Sequence, residues 1–105
     1  MSHVINWNDV PESSNAAGVA KQMLPGAAAT LVRVRIDAGV KSSMHDHPHE
    51  QFVQVISGTG VLELEAGARR FGPGDLFHFP AGTPHAASFE TETILVETNL
   101  EQAGS

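Results

Sequence analysis

Apolar residues along this chain alternate with polar ones or gather in short blocks, and stretches with helical spacing are scarce. Val32, Val34 and Ile36 alternate with Arg33 and Arg35, and Val53 and Val55 alternate with Gln54. Ten glycines and six prolines cut the pattern into pieces too short for a well-formed helix. The spacing predicts strands over 4–7, 19–24, 28–37, 51–57, 61–65, 76–79, 85–89 and 93–98. Pro25-Gly26, Gly58-Thr59-Gly60, Ala66-Gly67, Gly72-Pro73-Gly74 and Pro80-Ala81-Gly82 carry turn chemistry. Residues 11–18, rich in Ser, Asn, Ala and Gly, read as a loop, and 100–105 as a fraying tail. About eight short strands with frequent turns imply an all-β sandwich or barrel, and periodicity alone does not choose between them.

The length of 105 residues fits one domain, 1–105, with neither a linker nor an internal repeat. A domain of this size buries about 60–70% of its unfolded surface, so association into a homodimer is expected. Twelve acidic against six basic residues give a net charge of −6, which argues against nucleic acid and against an anionic membrane surface. With no cysteine, thiolate sites and disulfides are excluded, and any metal must be held by imidazole, carboxylate, amide or water. Residues 1–10 have neither the basic segment nor the apolar run of a signal peptide, so a cytoplasmic location is expected.

Six histidines stand in the chain, three of them in Met44-His45-Asp46-His47-Pro48-His49-Glu50-Gln51. If this segment is extended, His45 and His47 share a face about 6.6 Å apart, close enough to share a metal with modest curvature. Gln51 would lie about 13 Å further along a straight strand, so it converges only if the chain turns near Pro48. A fourth ligand must come from elsewhere, and His85 follows the tight turn Pro80-Ala81-Gly82-Thr83-Pro84.

The spacing resembles that of the cupin family. Gly39, five residues, His45, one residue, His47, three residues, Gln51, six residues and Gly58 match the first cupin motif over 39–58. Gly74, five residues, Pro80, one residue, Gly82, two residues and His85 match the second over 74–89, with Phe89 where the family often has Asn. The resemblance implies a jelly-roll barrel, a double-stranded β-helix, that holds one divalent ion through His45, His47, Gln51 and His85. The family usually has Glu at the position of Gln51. Glu50 is a rival for that role, but both flanking spacings favour Gln51. Three imidazoles and an amide leave the charge of a divalent ion uncompensated, which favours an anionic substrate and stronger Lewis acidity. The ion itself, Zn, Ni, Fe, Co or Mn, is not named by these ligands.

Several further residues are candidates for the chemistry. Glu97, a charge in the apolar run 94–98, is the candidate acid–base group, the other reading being protection of an edge strand. Arg33 and Arg35 either anchor a substrate carboxylate at the barrel mouth or lie on a solvated outer face. His78, opposite Phe77 and Phe79 in its strand, faces a substrate cavity or a dimer surface. His49 reads as solvent-facing or as a support for a ligand. The chain is similar to the small cupins that convert unsaturated uronates to linear keto sugars. That implies a metal-dependent lyase or isomerase acting on an anionic sugar-like or keto-acid molecule. The arginine expected shortly after the last strand is missing, since 99–105 hold no Arg or Lys. Two other readings stay open: a dioxygenase with a redox metal, and a module that binds a small molecule without turnover.

Overall fold

The computed structural model describes residues 3–101. Among the described residues a single 3-10 turn, η1 (Trp7–Asp9), precedes nine strands. These are β1 (Glu12–Ala16), β2 (Val19–Pro25), β3 (Ala29–Ile36), β4 (Gln51–Ser57), β5 (Gly60–Leu64), β6 (Gly67–Phe71), β7 (Leu76–Phe79), β8 (His85–Phe89) and β9 (Thr93–Leu100). They form two antiparallel sheets, one ordered β1-β2-β3-β9-β4-β7 and the other β6-β5-β8. The second sheet gains a ragged fourth edge where Lys41 bridges Ser88 and His45 bridges His85. The all-β barrel expected from the sequence is therefore the fold observed. Among the described residues no helix is long and apolar enough to cross a membrane.

Alternation decides which side chains face inward. Gln51, Val53 and Val55 of β4 are buried while Phe52, Gln54 and Ile56 are exposed. Register carries the same rows across the sheet: Val32 of β3 pairs with Glu97 of β9, and Glu97 pairs with Val53 of β4. The core gathers Val32, Val34, Ile36, Val53, Val55 and Leu95 from one sheet against Leu62, Phe71 and Phe89 from the other. Burying each of these side chains contributes about 1.5–3 kcal/mol before chain entropy is set against it.

Four sequence expectations are corrected. Residues 4–7 are not a strand, because the Asn6 side chain accepts a hydrogen bond from the Asn8 backbone N–H (2.8 Å) and caps η1 instead. Residues 12–16, read as loop, form β1, an edge strand exposed on every residue and so without an apolar pattern to betray it. The strand β6 was also unforeseen, since four of its five residues are exposed. In addition, β9 runs two residues past the expected end. Leu100 N–H donates to the Glu50 carbonyl (3.0 Å) and Glu101 N–H to the Ala28 carbonyl (2.8 Å), so neither frays. The remaining residues of the expected tail, 102–105, lie outside the described residues.

Candidate metal centre

The segment 42–50 is irregular rather than a continuous strand, and backbone hydrogen bonds clamp it to the turn before β8. His45 N–H donates to the His85 carbonyl (3.0 Å), His85 N–H to the His45 carbonyl (2.9 Å), and Gly82 N–H to the His47 carbonyl (2.7 Å). Two segments forty residues apart in sequence are thereby held side by side at one end of the barrel. One nitrogen from each of His45, His47 and His85 lies within 4.8 Å of the other two. That spacing suits three imidazoles around a single ion with Zn–N-like bonds of about 2.0–2.1 Å.

Hydrogen bonding prepares the donor atoms. His45 Nδ1–H donates to the Ser43 carbonyl (2.8 Å) and His85 Nδ1–H to the Thr83 carbonyl (2.9 Å). Each bond leaves the Nε2 lone pair free, the tautomer that a metal requires. The Phe79 ring stacks on His85 with centroids 4.0 Å apart and fixes its orientation. Gln51, buried at the start of β4, donates from Nε2 to Asn99 Oδ1 (2.8 Å). Its Oε1, the only atom of a neutral amide that binds a cation well, is left uncommitted. These donors fit a divalent ion.

Protonation favours the same outcome. Burial holds the His47 imidazole below its usual value, helped by the neighbouring His45, His49 and His85. Burial also lowers His85, opposed in part by the Thr83 carbonyl. Both rings are therefore neutral near pH 7, as ligands must be.

The histidines open onto a cavity of about 400 Å³ that also receives Gln51, Glu97 and Asn99. Burial between the rows of Val32 and Val53 pushes the Glu97 carboxyl up, while Lys21 and a hydrogen bond from Asn99 oppose the shift. Asn99 thus accepts from Gln51 and sits near enough to Glu97 to favour its ionised form, a connection the sequence reading missed. The signal was present in the period of two, because 97 and 99 share one face of a strand. Lys21 also lines the cavity and was not foreseen. His49 stacks on His47 with ring centroids 5.1 Å apart and keeps its Nε2 buried without a hydrogen-bond partner.

The structure does not bring Arg33, Arg35 or His78 to this cavity. Arg33 donates to Gln22 Oε1 (3.1 Å), and Arg35 lies 3.4 Å from Glu12 and 3.9 Å from Asp37. Both arginines alternate outward while Val32, Val34 and Ile36 line the interior. His78 also lies on an outer face, 2.6 Å from Glu50 and stacked on Phe52.

Comparison with solved structures returns the same barrel. An RmlC-like cupin from Shewanella frigidimarina aligns with a TM-score of 0.86 at 24% identity, over 95% of this chain and 91% of that one. KdgF from Halomonas sp. aligns with a TM-score of 0.82 at 26% identity, over 95% of each chain. Bacillus subtilis oxalate decarboxylase, a protein with Mn(II) centres, aligns with a TM-score of 0.78 at 20% identity, over all of this chain and 32% of that one. A search of curated proteins finds no match. The family model of the cupin domain matches residues 32–98, a span that contains both histidine motifs and most of both sheets, and the chain belongs to that family.

Proposed function

We propose that this cupin is a metal-dependent lyase or isomerase acting on an anionic sugar-like or keto-acid molecule, with one divalent ion held by His45, His47, Gln51 and His85. The observation that carries the proposal is the convergence of three imidazole nitrogens on a cavity that is also lined by a buried amide and by a carboxyl with raised pKa. A bound divalent ion would supply Lewis acidity toward a substrate oxygen. The protein's own groups do the rest. Glu97 keeps its proton to a higher pH than an ordinary carboxylic acid, so it can protonate a substrate and, once ionised, accept a proton back. Asn99 fixes the direction of Gln51 and favours the ionised form of Glu97. Val32, Val53 and Phe77 wall the cavity and limit water near that carboxyl.

The similarity to uronate-linearising cupins makes unsaturated uronates the first substrates to assay. Turnover by the metal-loaded protein should fall about 10²- to 10⁴-fold in Glu97→Gln, with metal content unchanged. Equal turnover in that variant removes Glu97 from the mechanism. Oxygen consumption with a redox metal would replace the lyase reading by a dioxygenase, and binding without turnover would leave a sensing module.

The outer face of the six-stranded sheet supports a homodimer. Phe52, Ile56 and Leu76 are 43%, 51% and 74% exposed there, an apolar surface of the kind that marks association. Sedimentation at micromolar concentration should give twice the 11.1 kDa chain mass, and Phe52→Glu/Leu76→Glu should give the single mass. A monomer in the unsubstituted protein would end that proposal. A cytoplasmic location accords with the cysteine-free composition.

A further inference from the structure

Lys21 occupies an unusual place for a lysine. It lies mid-strand in β2, where Val19, Lys21 and Met23 all alternate into the barrel, and it pairs with Val34, one of the most deeply buried residues of the core. It is the one Lys or Arg among the described residues that line the cavity. Among the described residues no carboxylate lies within ion-pair distance of its ammonium. Arg35 and Arg70, by contrast, are engaged with Glu12 and Glu90 on the outside. Lys21 is half-buried and lines a largely apolar cavity, where a charge without a partner is best met by an anion.

Glu97 does not fill that role. It faces the same space close enough for Lys21 to oppose the effect of burial, yet the two do not pair. The space between them therefore suits an anion from outside. Register places this space relative to the histidines. Gln51 and Asn99 share a row that reaches β2 at Pro25, four residues from Lys21. Four residues of strand span about 13 Å. A lysine side chain is long enough to shorten that distance, which leaves room for a molecule of monosaccharide size.

We propose that Lys21 anchors the carboxylate of the substrate at the end of the cavity away from the histidines. The proposal rests on the reading of this cavity as the substrate site. It sets the orientation of the ligand: carboxylate toward Lys21, hydroxyl or carbonyl oxygens toward His45, His47 and His85, and the intervening carbons beside Glu97. It also replaces the outward-facing Arg33 and Arg35 as the cation that selects for charge.

D-galacturonate and D-galactose test this directly, since they differ in carrying a carboxylate or a hydroxymethyl group. Calorimetric titration of the metal-supplemented protein should show galacturonate bound more tightly than galactose. Lys21→Met should weaken galacturonate about tenfold or more and leave galactose unchanged, and Lys21→Arg should recover part of the loss. Equal galacturonate affinity in Lys21→Met, a parallel loss for both sugars, or no galacturonate binding to the unsubstituted protein would each overturn the anchor. Metal content measured on the same samples separates the two readings. A carboxylate preference that depends on Lys21 in protein that takes up no metal keeps the anchor and removes the metal centre. Stoichiometric metal without any dependence on Lys21 does the reverse.

Discussion

Replacing His45 and His85 together by alanine is expected to abolish stoichiometric metal uptake, with affinity falling by more than about 100-fold. Loss of even a supporting partner of a metal ligand costs about 10- to 100-fold, and this change removes two of the proposed ligands outright. The backbone bridge between the two residues survives, because both of its hydrogen bonds use main-chain atoms. His45 is exposed, so His45→Ala alone should weaken metal binding with little effect on the thermal midpoint. His85→Ala should lower that midpoint as well, since the ring is buried and stacked on Phe79. Metal analysis by mass spectrometry, on protein purified without a metal column, decides the matter. Undiminished metal in the double variant would place the ion elsewhere.

Acid should release the same metal, and the sign follows from the lowered values of His47 and His85. Each ring in the folded chain binds its proton less tightly than the free side chain, whose value is 6.5. His47 and His85 therefore stay mainly deprotonated at pH 6.5, and protons compete with a metal for these two rings only at lower pH. The unfolded chain takes up more protons than the folded one below that value, so the metal-free protein also loses stability as pH falls through this window.

The second large effect is on stability. Gly58→Ala is expected to destabilise the fold by about 3 kcal/mol or more and to lower the thermal midpoint by at least about 12 °C. Gly58 has a backbone φ of +96°, a conformation that L side chains rarely adopt. A methyl group there would also meet the Thr93 hydroxyl, and would lie 2.6 Å from both the Glu92 carbonyl and the Thr93 Cα. Thr93 is fully buried and two of these contacts are backbone, so nothing nearby yields cheaply. Gly72→Ala is the control: its φ is not positive and a methyl group there meets nothing within 4 Å. It should change stability by no more than about 0.5 kcal/mol. Comparable melting of the two variants would refute the steric account.

Gly58 also shows why part of this structure was legible in the sequence. A glycine at fixed distance from the histidines marks a turn that only glycine makes, so its position carries backbone information. Buried strands were legible for a similar reason, because one wet face and one dry face leave a period of two, as in β3 and β4. The edge strands β1 and β6 left no such trace, being exposed on both faces over most of their length. The histidines were found from spacing. Asn99 and Lys21 were not, because a polar residue aimed into a cavity looks in sequence like one aimed into water. Arg33 and Arg35 illustrate the same ambiguity resolved the other way: only the register of β3 against β9 shows that they point outward.

The position of β9 has a consequence for how the molecule comes into being. This strand, the last in chain order among those described, lies in the middle of its sheet between β3 and β4. During synthesis from the N-terminus, β1-β2-β3 and β4-β7 can each form a hairpin-like piece, but they share no edge until residues 93–100 emerge. Each piece then waits with an apolar face and an open edge exposed, and the closing contacts are long-range and slow to form. The same closing strand delivers Glu97 and Asn99, so the sheet closes and the cavity gains both residues in a single late step.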